Sequence, residues 1–117
     1  MRSIIKYIDS IKSNVEFMVG ENATDNYDII DRSSPDDLWF HVSQRPSCHV
    51  IAVMPLGKKY DKKQLHKIAV QGSVLCKQYS KYASNTKLAV MYTPIHYVAK
   101  TGAVGSVSVD TYKTMEI

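Results

Sequence analysis

At Asp61 the periodicity of the chain changes, and that change does most to limit the fold. Leu65, Ile68, Ala69, Gly72, Leu75, Cys76, Tyr79 and Ala83 recur at helical intervals and share one face. Asp61 can cap such a helix, and Gln64 three residues later completes a capping-box pattern. Ser84-Asn85 supplies a stop, so the spacing predicts one long helix over about 62–83. A lone amphipathic helix must bury its apolar face against another layer, and the rest of the chain reads mostly as strands.

Leu38-Trp39-Phe40-His41-Val42 is the clearest strand. Leu38, Phe40 and Val42 share one face by the two-residue period, and Trp39 and His41 share the other. His49 to Met54 reads as the next strand, ended by Pro55-Leu56-Gly57, and two strands this close should pair as an antiparallel hairpin. Val15 to Val19 reads as an earlier strand stopping at Gly20, with Lys87 to Tyr92, Val98 to Lys100 and Val104 to Val109 as later ones. Ile4 to Ile8 suits a strand or a short helix equally, and Tyr27 to Ile30 a first helical turn or an extended segment. Glu21 to Asn26 and Ser33 to Asp37 read as turns. A length of 117 residues supports one modest core and not two. The expected architecture is a single α+β domain over 1–117: a mainly antiparallel sheet packed against one long helix, with short additional helical segments.

The net charge of +4 is mild, but it is unevenly spread. Residues 1–57 carry five Lys/Arg against eight Asp/Glu, whereas residues 58–117 carry ten lysines against Asp61, Asp110 and Glu116. Lys58, Lys59, Lys62, Lys63, Lys67, Lys77 and Lys81 fall in or beside the predicted helix, mostly off its apolar stripe. Helical lysines ordinarily mark a solvated face, and such faces alternate signs to gain i,i+4 pairs. Between Lys58 and Lys87 the only acid is Asp61, so this face is suited to a polyanion and its binding should depend on salt. No window has the ~18–20 apolar residues of a membrane span, and the N-terminus has no signal-peptide core. An intracellular, cytoplasmic location without membrane contact is therefore expected, and in that reducing compartment Cys48 and Cys76 are expected as separate thiols.

Asp37, Trp39, His41, Ser47, Cys48 and His49 gather in one predicted hairpin. A metal site would want about four ligands and a paired Cys or His motif, neither of which is present. A nucleophilic site would pair Cys48 or Ser47 with a histidine, but adjacent strand residues such as Cys48 and His49 point to opposite faces. Neither an enzyme nor a cofactor or metal is expected. The third reading is a binding surface, with Trp39 beside His41 able to stack on a base. Against it, single tryptophans are more often core, and composition leans that way.

The run from Asp37 to Val42, followed by Pro46-Ser47-Cys48-His49-Val50, resembles the signature of the NFACT-R family, an RNA-binding module named from large proteins of ribosome-associated quality control. Gly20, Asn22, Asn26, Tyr92-Thr93, Lys100 and Gly105 agree with it, so the resemblance runs from about Val15 to Val109. Tyr92-Thr93-Pro94 is similar to the short members, including the N-terminal domain of a eukaryotic coiled-coil-containing protein. Ser47-Cys48 stands where the large proteins usually have Gly-Ser, and the turn from Thr101 to Gly105 is shorter and less basic than theirs. The resemblance implies an α+β fold and binding of tRNA or rRNA, with the large ribosomal subunit as a partner. The expected nucleic-acid-binding residues are the lysines above together with Lys100, and Trp39, His41 and His49 as residues that shape or contact the site. Two alternatives remain: a protein-interaction module docking on a ribosome-associated partner, and a DNA-binding variant of the same domain.

Overall fold

The computed structural model describes residues 1–117. Strands β1 (Arg2–Ile8) and β2 (Ser13–Gly20) form a hairpin, followed by helix α1 (Ala23–Arg32), β3 (Leu38–Val42) and β4 (His49–Val53). Helix α2 (Lys62–Gln78) leads into β5 (Ala89–Pro94), then β6 (Val98–Lys100), β7 (Val107–Val109) and β8 (Lys113–Glu116). The fold is α+β. Six strands make one antiparallel sheet in the order β1-β2-β4-β3-β5-β8, and β6 and β7 form a separate antiparallel hairpin.

The central strands are buried on both faces. Phe17, Val19, Leu38, Phe40, Val42, Val50 and Ala52 point toward α2, which answers with Ile68, Ala69, Leu75 and Cys76. Met18, Trp39 and Ile51 point the other way, onto Ile29 of α1 and Ile95, with Val107 and Val109 of the small hairpin alongside. The sheet is thus the middle of three layers, with α2 on one face and α1 plus β6-β7 on the other.

The β3–β4 pairing, the alternation of β3 and the Asp61–Gln64 capping box all stand as the sequence suggests. Several elements differ from the expectation or settle a reading left open, and β7 begins at Val107 where Val104 was expected. Helix α2 ends at Gln78, five residues short of the predicted end. Tyr79 leaves helical geometry, and the Ser80 hydroxyl donates to the Lys77 carbonyl and accepts from the Tyr82 amide, diverting two backbone groups from a further turn. Tyr27 to Ile30 lies inside a ten-residue helix, because Asn22 of the supposed turn is its N-cap and accepts from the Asp25 amide at 2.8 Å. Ile4 to Ile8 is strand, and β8 is an edge strand that no sequence pattern announced.

Helix α2 meets β3 at Gly72. A Cβ there would lie well under 3 Å from the ring of Phe40, which is fully buried and has nowhere to withdraw. Alanine would return about 0.8–1.0 kcal/mol of helix propensity, but overpacking a filled core costs about 1–3 kcal/mol. Gly72→Ala is therefore expected to lower stability by up to about 2 kcal/mol, read as a reduced urea midpoint at unchanged m-value. A raised midpoint would show that Phe40 yields freely.

Candidate nucleic-acid interface

The lysines occupy α2 and its flanks. Lys58 and Lys59 are exposed on the loop leading to the helix, and Lys62, Lys63 and Lys67 are exposed over its first two turns. None of these five forms an ion pair. Asp61, the one acid among them, forms no ion pair with them and caps the helix instead: its carboxylate accepts from the Gln64 amide while Gln64 accepts from the Asp61 amide. A 17-residue helix spans about 25 Å, and Lys77 and Lys81 lie at its far end. Lys77 is half-buried and donates to the Ile117 carbonyl at 3.0 Å. Lys81 is exposed, and its ammonium and the Arg45 guanidinium both approach the Tyr82 ring.

Lys100 is elsewhere. It pairs with Asp31 of α1 and lies over the Tyr27 ring, on the opposite side of the sheet from α2. Trp39, His41 and His49 also face that side, so the structure separates the hairpin residues from the α2 lysines.

Trp39 is 1% exposed and His49 2% exposed, which leaves no open indole face for a base. The Trp39 indole Nε1–H donates to His49 Nδ1 at 3.1 Å, and His41 stacks on the indole with its ring 5.6 Å away. The core reading of Trp39 therefore holds and the platform reading does not. Burial pushes His49 down to about 3, with the neighbouring His41 acting in the same sense, and burial lowers His41 as well. Both rings are neutral at pH 7.

The catalytic pairing fails on geometry as well. Cys48 sits with the α2-facing core and His49 on the other side of β4. Cys48 faces Cys76 instead, and each thiol is directed at the other residue's carbonyl, at 3.5 and 3.8 Å, with no disulfide between them. The Ser47 hydroxyl accepts from the Val42 amide and donates to the Cys48 carbonyl. No three His, Cys, Asp or Glu side chains converge on a point where a metal could sit, and no helix is long and apolar enough to cross a membrane.

A recess at the N-terminal end of α2 was not legible beforehand. Tyr92 of β5, Tyr97 and Tyr112 line it with Lys62 and His66 of α2 and Lys113 of β8. These residues are dispersed in sequence and only the fold unites them. The one available signal was composition, with eight tyrosines against two phenylalanines.

A small α+β module with one helix surfaced in unpaired lysine is the construction of a polyanion-binding domain. Residues 5–111 match the family described as NFACT protein RNA binding domain, and the chain belongs to that family of RNA-binding, non-catalytic modules. Its fold is similar to the C-terminal part of the fibronectin/fibrinogen-binding protein from Streptococcus suis, with a TM-score of 0.78 at 20% sequence identity. That likeness covers 97% of this chain and 44% of the solved one, so the chain spans less than half of that length. No curated protein matches it in sequence.

The two histidines predict an acid sensitivity. Their folded values lie below 6.5, so below that pH the unfolded chain takes up protons that the folded chain refuses. Their stabilisation is complete above pH 6.5 and is lost as pH falls from 6.5 toward 3. Unfolding in urea should show a loss on the order of 1–3 kcal/mol between pH 7 and 4.5. His49→Gln should start less stable at pH 7 yet show a flatter pH dependence, and an unchanged slope would exonerate His49.

Proposed function

We propose that the chain is an RNA-binding module that holds the phosphate backbone of tRNA or rRNA with the lysines at the N-terminal end of α2. The observation that carries this reading is the cluster of Lys58, Lys59, Lys62, Lys63 and Lys67, all exposed and none in an ion pair. Like charges held this close repel one another, and a polyanion relieves that repulsion while releasing its own counterions. Lys81 and Arg45 extend the contact toward the far end of the helix. Lys77 and Lys100 are engaged within the protein and stand outside the proposed surface. Trp39, His41 and His49 serve it indirectly by holding the sheet on which α2 rests.

Family membership favours RNA over DNA and over a protein partner, and it supports a place in ribosome-associated quality control beside the large ribosomal subunit. Residues 1–117 are proposed to act as one module, and free thiols at Cys48 and Cys76 suit an intracellular, reducing compartment.

A mobility shift with tRNA across a salt series tests the reading. Affinity should fall steeply as salt rises, with duplex DNA a weaker competitor than RNA. Lys62→Glu, Lys63→Glu and Lys67→Glu together should weaken binding at least about 10-fold and reduce the logarithmic salt slope by about one for each phosphate no longer neutralised. No binding at low salt, or binding indifferent to the three substitutions, would falsify this assignment. Equal competition by DNA would reassign the polyanion.

A further inference from the structure

The tyrosine-lined recess has a shape and a chemistry that phosphate binding alone does not require. Its volume is about 440 Å³, within the ~300–1,000 Å³ of sites that enclose one small molecule. Lys62, Leu65 and His66 come from one face of α2, by their three- and four-residue spacing. Tyr92 and Pro94 of β5, with Tyr97 beyond them, form a second wall, and Tyr112 and Lys113 a third, with the buried Leu38 also in the lining. Aromatic and aliphatic surface is thus combined with two lysines and a histidine, and no carboxylate is among the lining residues.

That combination selects among ligands. An apolar peptide would cover the tyrosines and leave the cations unmatched. A bare phosphate would satisfy the cations and leave the aromatic faces in water. A flat heterocycle joined to a phosphate satisfies both, since stacking on aromatic side chains tolerates any base and the ammonium groups take the anion. The recess has room for one nucleoside and none for a paired duplex, whose bases are in any case inaccessible to stacking. Burial pushes the Tyr92 phenol up, so it remains an uncharged hydroxyl beside an incoming phosphate. Lys62 belongs both to the recess and to the exposed lysine cluster, which makes the two surfaces continuous.

We propose that this recess receives one unpaired base of the bound RNA, stacked on its tyrosines, with the adjoining phosphate held by Lys62 and Lys113. This rests on the RNA-binding reading above and deepens it: the RNA is engaged at a loop, a bulge or an end.

Tyr112 is the residue to change. It is 47% exposed and belongs to neither buried cluster, so its removal leaves the core intact. Affinity of the whole chain is measured at one salt concentration for a hairpin RNA with an unpaired loop and for a blunt RNA duplex of equal length. Tyr112→Ala should weaken loop binding roughly 5- to 100-fold, the worth of one stacked base, and alter duplex binding less than about 2-fold. Tyr112→Phe should keep wild-type affinity for both. Adenosine or uridine 5′-monophosphate should also shift the methyl resonances of Leu38 and Leu65, which line the recess. If Tyr112→Ala leaves loop binding untouched while the Lys62, Lys63 and Lys67 reversals still weaken it, the recess takes no base and the lysine surface stands alone. If Tyr112→Ala weakens loop and duplex equally, the residue supports the surface and the proposal is wrong. If the wild-type chain binds no RNA at low salt, both readings fall together.

Discussion

Phe40 and Gly72 share a space that only one of them can fill. The Phe40 ring projects from the centre of β3 into the volume that a side chain on α2 would occupy, and it stacks on Tyr92 of the adjoining strand at 6.0 Å. The contact lies near the middle of α2, so it sets both the depth of the helix over the sheet and its roll about its own axis. With Gly72 down, Ile68, Ala69, Leu75 and Cys76 are drawn inward and Lys63 and Lys67 are left outward. The same contact places the first turn of α2 beside Tyr92, which brings Lys62 and Leu65 to the recess. Rolling the helix by one residue, about 100°, would bury lysine and dismantle both surfaces.

The residues that announce the family in sequence are, in the structure, mostly those that hold it together. Asp37 is buried, and its carboxylate accepts from the Ser34 and Met54 amides, closing the turn into β3. Trp39 and His49 satisfy each other's buried nitrogens across β3 and β4. Asn26 reaches from α1 to accept from the His49 amide, and Gly20 leaves room for it, since a Cβ there would strike the Asn26 side chain. Gly105, at a φ of +85°, brings the β6-β7 turn onto Ala23 where a side chain would collide. A buried polar group is expensive unless paired, so each of these identities is held by a partner inside the fold. The signature consequently specifies architecture more than ligand.

This explains which parts of the molecule were legible in sequence. Strand β3, the β3–β4 hairpin and the start of α2 each carry their reason locally, in a two-residue period, a short connection or a capping box. Spacing alone carries α2 too far, because Tyr79 and Ala83 continue the helical period while the Ser80 hydroxyl, a competitor for backbone groups, breaks the helix first. The first residues of α1, up to Asn26, read as a turn because they are a cap and a solvated face together, and Tyr27 to Ile30 alone suits a helical turn or an extended segment equally. Strand β8 has no pattern of its own, and it forms because β5 offers an edge. Tyr97, Tyr112 and Lys113 have no common sequence interval, and their juxtaposition belongs to the tertiary fold alone. Trp39 was the ambiguous case, since alternation fixes which face a side chain takes but not what covers that face. Helix α1 and the β6-β7 hairpin cover it.

The uneven charge of the sequence becomes directional in the fold. The acidic half of the chain consumes much of its own charge: Asp25 holds the N-terminal ammonium at 2.8 Å, Glu21 holds Arg2, and Asp31 holds Lys100. The lysines around the start of α2 have no such partners, so the net charge of +4 understates the field on that side. The acids of α1 lie on the opposite face of the sheet from the α2 lysines. The start of α2 therefore carries uncompensated positive charge while the acids of α1 are partly paired, and this asymmetry is what the proposed RNA-binding surface would use.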